Sequence, residues 1–511
     1  MLAKVASGAV LGIEAFHIEV EVDIQMGVPG MSIVGLGGTA IQEAKERVRS
    51  AIRNSGYEFA PRKVTINLAP ANLKKEGPMF DLAIAAAILV ASEQLNGARL
   101  GNYMIVGELS LDGRVRPISG VLPIALAARA AGFKGILVPE LNAQEAALVE
   151  GLEVHPVENL AHAVAILDSP ATHVPLELDR ERVWDRAPRL EADFSEVQGQ
   201  VVAKRGLELS AAGGHNVVLV GPPGSGKTML ARRLPGILPD LTFEEAIEIT
   251  KLYSVAGLLG AKGSLIAERP FRSPHHSVSN AGLVGGTASP RPGEISLAHR
   301  GVLFLDELAE FRRDVVEQLR QPLEEGCITI SRAQATVTYP ADISLVAALN
   351  PCPCGYRGDS TRNCSCTPAM AARYWSKLSG PLLDRIDLHI EVPRLSPDEL
   401  LSVVPAESSA TIRARVMRAR LVQAHRFRHI KHVYCNAQMG SRQLREHCRL
   451  DAESQQLLRL AINQLGLSGR SHNRILKLSR TIADLDGSES LTATHVSEAI
   501  QFRTLDRSVL R

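Results

Sequence analysis

Residues 221–228 read GPPGSGKT, directly after the strand-like run Asn216–Val220 and directly before a helical stretch. Gly221, Gly224 and Gly226 let the backbone wrap so that its N–H groups converge, and such a nest of amides binds phosphate. Pro222, Pro223 and Ser225 complete the turn, Lys227 can reach β and γ phosphates, and Thr228 offers a hydroxyl to magnesium. A loop of this kind works at the end of a buried strand that feeds a helix. It therefore commits the surrounding chain to a parallel α/β sheet.

The other half of a magnesium site should be an acid at the end of a neighbouring buried strand. GVLFLDEL supplies it: Val302–Leu305 is a continuous apolar run suited to a strand covered on both faces, followed by Asp306 and Glu307. Asp306 is expected to hold magnesium through water and Glu307 to polarise the attacking water, so ATP with Mg2+ is the expected ligand pair.

At 511 residues the chain exceeds one core, and roughly 150 residues per domain suggests about three. In Phe16–Ile24, Phe16, Ile18, Val20, Val22 and Ile24 alternate with polar residues like a half-buried strand, while Ile41, Ala44, Val48 and Ile52 recur at helical spacing. Residues 1–166 are therefore expected to form a mixed α and β domain. Residues 167–190, proline-bearing and charged, are expected to be a linker. Residues 191–400 should form the parallel-sheet domain and 401–511 a helical lid. The net charge of +2 excludes a globally basic surface, so a nucleic-acid surface would be a local patch. The N-terminus carries no export signal, and Leu82–Ala91 is far shorter than the roughly 20 residues that cross a bilayer. A cytoplasmic protein without a membrane partner is expected.

The order of GPPGSGKT, Asp306-Glu307, an apolar strand ending at Asn350, and LLDRID at 382–387 resembles AAA+ ATPases of the magnesium-chelatase clade. PFRSPHHSVSNAGLVGG at 270–286, PGEISLAHRGVLFLDEL at 292–308 and LNPCPCGYRGD at 349–359 extend the resemblance to the bacterial ComM/YifB family over essentially the whole chain. The resemblance implies Asn350 as first sensor of the γ-phosphate and Arg385 as an arginine finger offered to a neighbouring subunit. It implies a homo-oligomer, a hexameric ring. Arg470 in LSGRSHNRIL resembles the second sensor, with Arg474 one turn later as its rival.

Residues 76–91 and 113–142 resemble the ribosomal S5-like proteolytic domain of Lon proteases, which uses a serine-lysine dyad. Met79 stands where the pattern expects the serine and Ile124 where it expects the lysine. A hydroxyl nucleophile and a lysine base are both required, so peptidase activity is not expected.

Cys352, Cys354, Cys364 and Cys366 form two C-x-C pairs, a count that suits tetrahedral Zn2+ as well as it suits reduced thiols packed in a loop. Between Glu407 and Glu446 nine arginines and lysines accumulate, from Arg413 to Arg445, a run that reads either as a solvated helix face or as a phosphate-binding patch. Two segments resemble the clade's inserted hairpins, 271–287 with Arg272, His275 and His276, and 326–341 with Arg332. In a ring these would face the channel and grip a DNA backbone, or the histidines would cap the hairpin locally. The ComM/YifB resemblance implies an ATP-driven DNA helicase that promotes branch migration during natural transformation, on single-stranded, duplex and branched DNA. The alternative is a chelatase-like or chaperone-like ATPase that remodels a protein partner.

Overall fold

The computed structural model describes residues 2–503 except 36–37, 60, 74, 186–191, 260–264, 287–290, 333–334, 360, 379, 397–398, 400–405, 432 and 466–467. It is a mixed α/β chain with a largely helical C-terminal part. Among the described residues no helix is long and apolar enough to cross a membrane.

β1 (Leu2–Leu11) turns at Gly12, φ +68°, into β2 (Glu14–Gln25), and the two pair antiparallel from Leu2↔Asp23 to Leu11↔Glu14. Ile18, Val20 and Val22 are fully buried, as the alternation predicts, while Phe16 stays 38% exposed near the turn. β3 (Gly30–Val34), β4 (Lys63–Ala69) and β5 (Tyr103–Ile105) follow; β6 (Glu108–Leu109) and β7 (Val115–Arg116) make a separate small hairpin. β8 (Gly135–Pro139) and β9 (Glu153–Val157) complete a seven-stranded sheet of order β3-β4-β2-β1-β5-β8-β9. Helix Thr39–Asn54 buries Ile41, Ala44, Val48 and Ile52, and helix Asp81–Ala91 is almost wholly buried. Met79 and Ile124, at the positions compared with the Lon dyad, are packed in apolar clusters.

The second sheet contains β10 (Val217–Val220), β11 (Phe271–Arg272), β12 (Val302–Leu305), β15 (Ser344–Leu349) and β16 (Leu388–Glu391), all parallel, in the order β11-β12-β15-β10-β16. β13 (Cys327–Arg332) and β14 (Ala335–Pro340) form an antiparallel hairpin outside it. Alternate residues of the parallel strands enter two different cores, Val217, Leu219 and Phe304 on one face, Val218, Val220 and Leu305 on the other. Continuous apolar runs are the signature of strands covered on both sides.

The C-terminal helices share the first of these cores. Ile412, Val416, Ile475, Ile482, Val496 and Phe502 join Leu219, Phe304, Val346 and Ile390 in one cluster. A buried polar network fixes the seam: His215 Nδ1 lies 3.2 Å from Asp387 Oδ2, His215 Nε2 lies 2.8 Å from Thr481 Oγ1, and Arg474 sits 3.2 Å from Asp387. Burial alone would raise the Asp387 carboxyl, but His215 and Arg474 hold it well below the carboxylate range. Arg503, 1% exposed, donates to the Ile386 carbonyl at 2.6 Å.

This seam also consumes much of the basic run. Arg413 bonds the Gly236 carbonyl and Asp240, Arg415 pairs with Glu208 and Glu407, Arg420 bonds the Ala211 carbonyl, and Arg426 pairs with Asp484. Acids distant in sequence, Glu208 and Asp484 among them, neutralise a stretch that carries none of its own. For these four arginines the phosphate-patch reading is replaced by an internal one.

The first unit is joined to the second through helix Val121–Ala130, which packs on helix Phe243–Ala256. Gly120 N donates to the Ser254 carbonyl at 3.0 Å, and Ser254 Oγ donates to buried Glu145 at 2.6 Å. The stretch expected as a linker is not a bare tether: Leu176, Leu178, Val183 and Trp184 pack on the same cluster, which includes Ala246 and Leu265.

Asp81 generates a test. Its carboxylate takes Arg47 Nε at 2.7 Å and the Leu109 amide at 3.3 Å, yet burial pushes it up to about 6 against the Arg47 attraction. The folded chain therefore holds this proton more tightly than the unfolded chain, and stability falls as pH rises between the two pKa values. Wild type should lose about 2–3 kcal/mol relative to Asp81→Asn between pH 4 and 7, read from paired urea unfolding curves. Parallel pH profiles for the two proteins would refute it.

Candidate nucleotide site

Three strands of the parallel sheet end at one edge, where their following loops meet. Gly221 follows β10, Asp306 follows β12, Asn350 follows β15, and the Gly221 amide donates to the Leu349 carbonyl at 3.1 Å. The carboxyl edge of such a sheet is where ligands bind.

Lys227 Nζ donates to the carbonyls of Gly221 at 2.7 Å and Pro222 at 2.9 Å and to Asn350 Oδ1 at 3.3 Å. Burial lowers its pKa, opposed by Asp306 and Glu307. Ser225 Oγ is buried without a hydrogen-bond partner among the described residues. A buried cation and an unsatisfied hydroxyl on one glycine loop fit a phosphate group. Gly221 is required by close approach, since a Cβ there would lie 2.1 Å from the Val392 carbonyl oxygen. Gly224 and Gly226 take φ of +77° and +92°.

Thr228 Oγ1 donates to Asp306 Oδ2 at 2.9 Å, which brings together the hydroxyl and carboxylate suited to magnesium. Glu307 has a left-handed φ of +52° and its side chain is 53% exposed. His276 Nδ1 lies 3.8 Å from Glu307 Oε2, and the His276 ring lies 4.0 Å from that of His275, tilted by 35°. His276 thus lies beside this acid, a placement the sequence did not reveal, while His275 bonds Ser277 locally.

The segment 271–287 is not a hairpin over its described residues. It runs from β11 through a turn into a short helix, Asn280–Val284, capped by Ser279. Arg272 is held by Glu294 in a two-pronged ion pair, 2.7 Å on each prong, which raises its pKa. Its charge is balanced by Glu294 inside the chain. The segment 326–341 does form a hairpin, β13–β14. Ile328, Ile330, Val337 and Tyr339 are buried on one face, and Thr329, Ser331, Thr336 and Thr338 are exposed on the other. Arg332 ends β13, and its side chain lies outside the described residues.

Arg385 pairs with Glu324 of its own chain and donates to the Pro381 carbonyl at 2.6 Å. With Asp384, Arg470, Asn473, Arg474 and Lys477 they line a pocket of about 230 Å³ that contains no residue of 221–228. Arg470 is 67% exposed and 3.8 Å from Asp384, whereas Arg474 is 16% exposed and bound to Asp387.

Cys352, Cys354, Cys364 and Cys366 are free thiols whose Sγ atoms all lie within 4.8 Å of one another, next to Asn350. The hydrogen bond from the Tyr356 amide helps to hold Cys354 below the ordinary thiol range. Sequence reasoning missed Gln200, whose Nε2 ties the Ser225 carbonyl at 3.3 Å to that of Pro393 at 2.7 Å. Its only sequence signal is the Gly199-Gln200 turn before a helix, too common to single out.

Three family descriptions match the chain: magnesium chelatase, subunit ChlI, over 193–400; subunit ChlI of Mg-chelatase over 20–142; and the ChlI C-terminal part over 406–503. The chain is 47% identical to the uncharacterized protein YifB of Escherichia coli, across 100% of this chain and 98% of the relative. It is 43% identical to the competence protein ComM of Haemophilus influenzae, across 99% and 98%. A Lon protease of Mycolicibacterium smegmatis is 27% identical over 33% of this chain and 23% of its own length.

Two glycine substitutions separate crowding from backbone freedom in the loop. Gly221→Ala forces a Cβ against Val392 backbone and should weaken binding of a fluorescent ATP analogue by more than about tenfold. Gly224→Asn should be milder, because nothing lies within 4 Å of that position and asparagine tolerates a left-handed φ. Equal losses in fluorescence anisotropy titrations would contradict this geometry.

Proposed function

Because the chain belongs to the magnesium-chelatase-like family that includes YifB and ComM, we propose that it is an ATPase acting as a motor on DNA. It works in the cytoplasm as a hexameric ring and drives branch migration while single-stranded DNA is integrated, engaging single-stranded, duplex and branched DNA. Its proposed parts are a Lon-protease-like domain without the dyad (1–166), a connecting stretch (167–190), an AAA+ core (191–400) and a helical domain (401–511).

The observation that carries the reading is the convergence of Lys227 with Asn350 at 3.3 Å and of Thr228 with Asp306 at 2.9 Å. In this reading the loop amides and Lys227 hold the phosphates, Thr228 and Asp306 hold Mg2+, Glu307 orients water and Asn350 responds to the γ-phosphate. The ion, when bound, neutralises charge on the phosphate oxygens.

The pocket shared by Arg385 and Arg470 supports assembly in a ring. Arginines gathered away from their own phosphate loop are suited to a neighbour's nucleotide, so Arg385 and exposed Arg470 are proposed to act in trans, with Arg474 holding the seam. The name of the competence relative and the hydroxyl-bearing face of β13–β14 support DNA as substrate. Thr329 and Thr338 lie 3.2 Å apart, as do Ser331 and Thr336, and rows of small hydroxyls contact phosphates without reading bases.

The test follows a labelled strand through forked, three-strand and four-way DNA junctions. Wild type should move it with ATP and Lys227→Ala should not. ATP turnover without DNA stimulation or strand movement would transfer the reading to remodelling of a protein partner.

Trans action has its own measurement. Arg385→Ala alone should lose about a thousandfold or more in turnover. Mixing it with inactive Lys227→Ala should restore measurable turnover, since mixed interfaces pair an intact loop with an intact arginine. No recovery in mixed rings would refute trans action.

A further inference from the structure

The loop 351–366 leaves β15 directly after Asn350 and folds its four cysteines into one group. Cys352 Sγ lies 3.4 Å from Cys354 Sγ and 3.6 Å from Cys364 Sγ, and Cys354 and Cys364 are 3.6 Å apart. A disulfide would require about 2.05 Å. Four sulfurs around zinc at about 2.3 Å stand about 3.8 Å apart along the edges of a tetrahedron. The observed separations, 3.4 to 3.6 Å for three pairs and all within 4.8 Å, are those of a ligand set and not of bonded or dispersed thiols.

The backbone is arranged to support thiolates. The Cys354 amide donates to Cys366 Sγ at 3.4 Å, and the Cys366 amide donates to Cys364 Sγ at 3.4 Å. Such outer bonds orient metal-bound ligands and spread their charge. Gly355, φ +84°, makes the tight turn and donates to the Cys352 carbonyl at 2.9 Å.

The same loop reaches the phosphate loop. A Cβ on Gly355 would come within 2.6 Å of the Pro223 ring, so the two loops are in direct contact. Further along, Asp359 pairs with Arg394 at 3.3 Å, just beyond β16, and Trp375 Nε1 donates to the Pro351 carbonyl at 3.1 Å. The cysteine loop is therefore tied to the phosphate loop, to the chain just beyond β16 and to the helix that ends at Trp375.

We propose that Cys352, Cys354, Cys364 and Cys366 hold one structural zinc ion, which fastens loop 351–366 against Pro223 and so positions Asn350 beside Lys227. Four thiolates fill a tetrahedral shell and leave no place for water, so the ion takes no part in bond making. The metal site stands on the cysteine geometry alone; its effect on the sensor rests on the ATPase reading above.

Zinc content of the full-length protein, purified under reducing conditions, is measured by mass spectrometry and by release into a chromogenic chelator as a mercurial titrates the thiols. About one zinc per chain is expected, released in step with four thiols. Cys364→Ser with Cys366→Ser should retain less than about a tenth of it. Cobalt loading of wild type gives a second reading that does not depend on a variant folding: thiolate charge-transfer and tetrahedral ligand-field bands are expected. Absence of zinc from wild type even after incubation with zinc chloride, or iron in its place, would overturn the site. In the same preparations, weaker binding of a fluorescent ATP analogue on metal loss is expected. Full metal content with unchanged nucleotide affinity after its removal would overturn the positioning role and keep the site. Failure of ATP hydrolysis with zinc bound would count against the ATPase reading alone.

Discussion

A parallel sheet has two apolar faces, and neither can be left to water. Val217, Leu219 and Phe304 point one way and Val218, Val220 and Leu305 the other, so the strands that carry the phosphate loop require cover on both sides. The C-terminal helices cover the first face and share its core. Helix 243–256, the short helices after β12 and the buried side of β13–β14 contribute to the second. With both faces sealed, the sheet's functional opening is its carboxyl edge, where the ends of β10, β12 and β15 bring Gly221, Asp306 and Asn350 together.

The parts of this arrangement legible in the sequence were those written in short-range pattern. The glycine spacing of 221–228 gave the loop, and the uninterrupted Val302–Leu305 run gave a strand buried on both sides, with its two acids at the end. What could not be read was pairing across the chain. Glu208 for Arg415, Asp484 for Arg426 and Glu294 for Arg272 are partners separated by 207, 58 and 22 positions. No local pattern announces them, so four of the nine basic residues in a run that looked like a free surface were committed to partners within the chain. His276 beside Glu307 was hidden for the same reason: adjacent strands of the sheet bring the two loops together, and the spacing in sequence does not.

The arginines divide by environment. Those of the seam, Arg426, Arg474 and Arg503, lie against carboxylates or carbonyls within a shared core, where removing a partner would strand a charge. Arg470 is left largely exposed and only loosely held by Asp384. Arg470 and Arg474, one helical turn apart, thus sit in opposite environments on a single helix.

The contact between helix Val121–Ala130 and helix Phe243–Ala256 makes the two units dependent on each other for cover. Ser254 donating to buried Glu145, and Ala246 and Leu265 entering the first unit's cluster, make its far side part of the second unit's wall. With Met79 and Ile124 packed in its own apolar clusters, the first unit serves its neighbour as masonry. Deleting the whole unit would bare an apolar flank of its neighbour and invite aggregation.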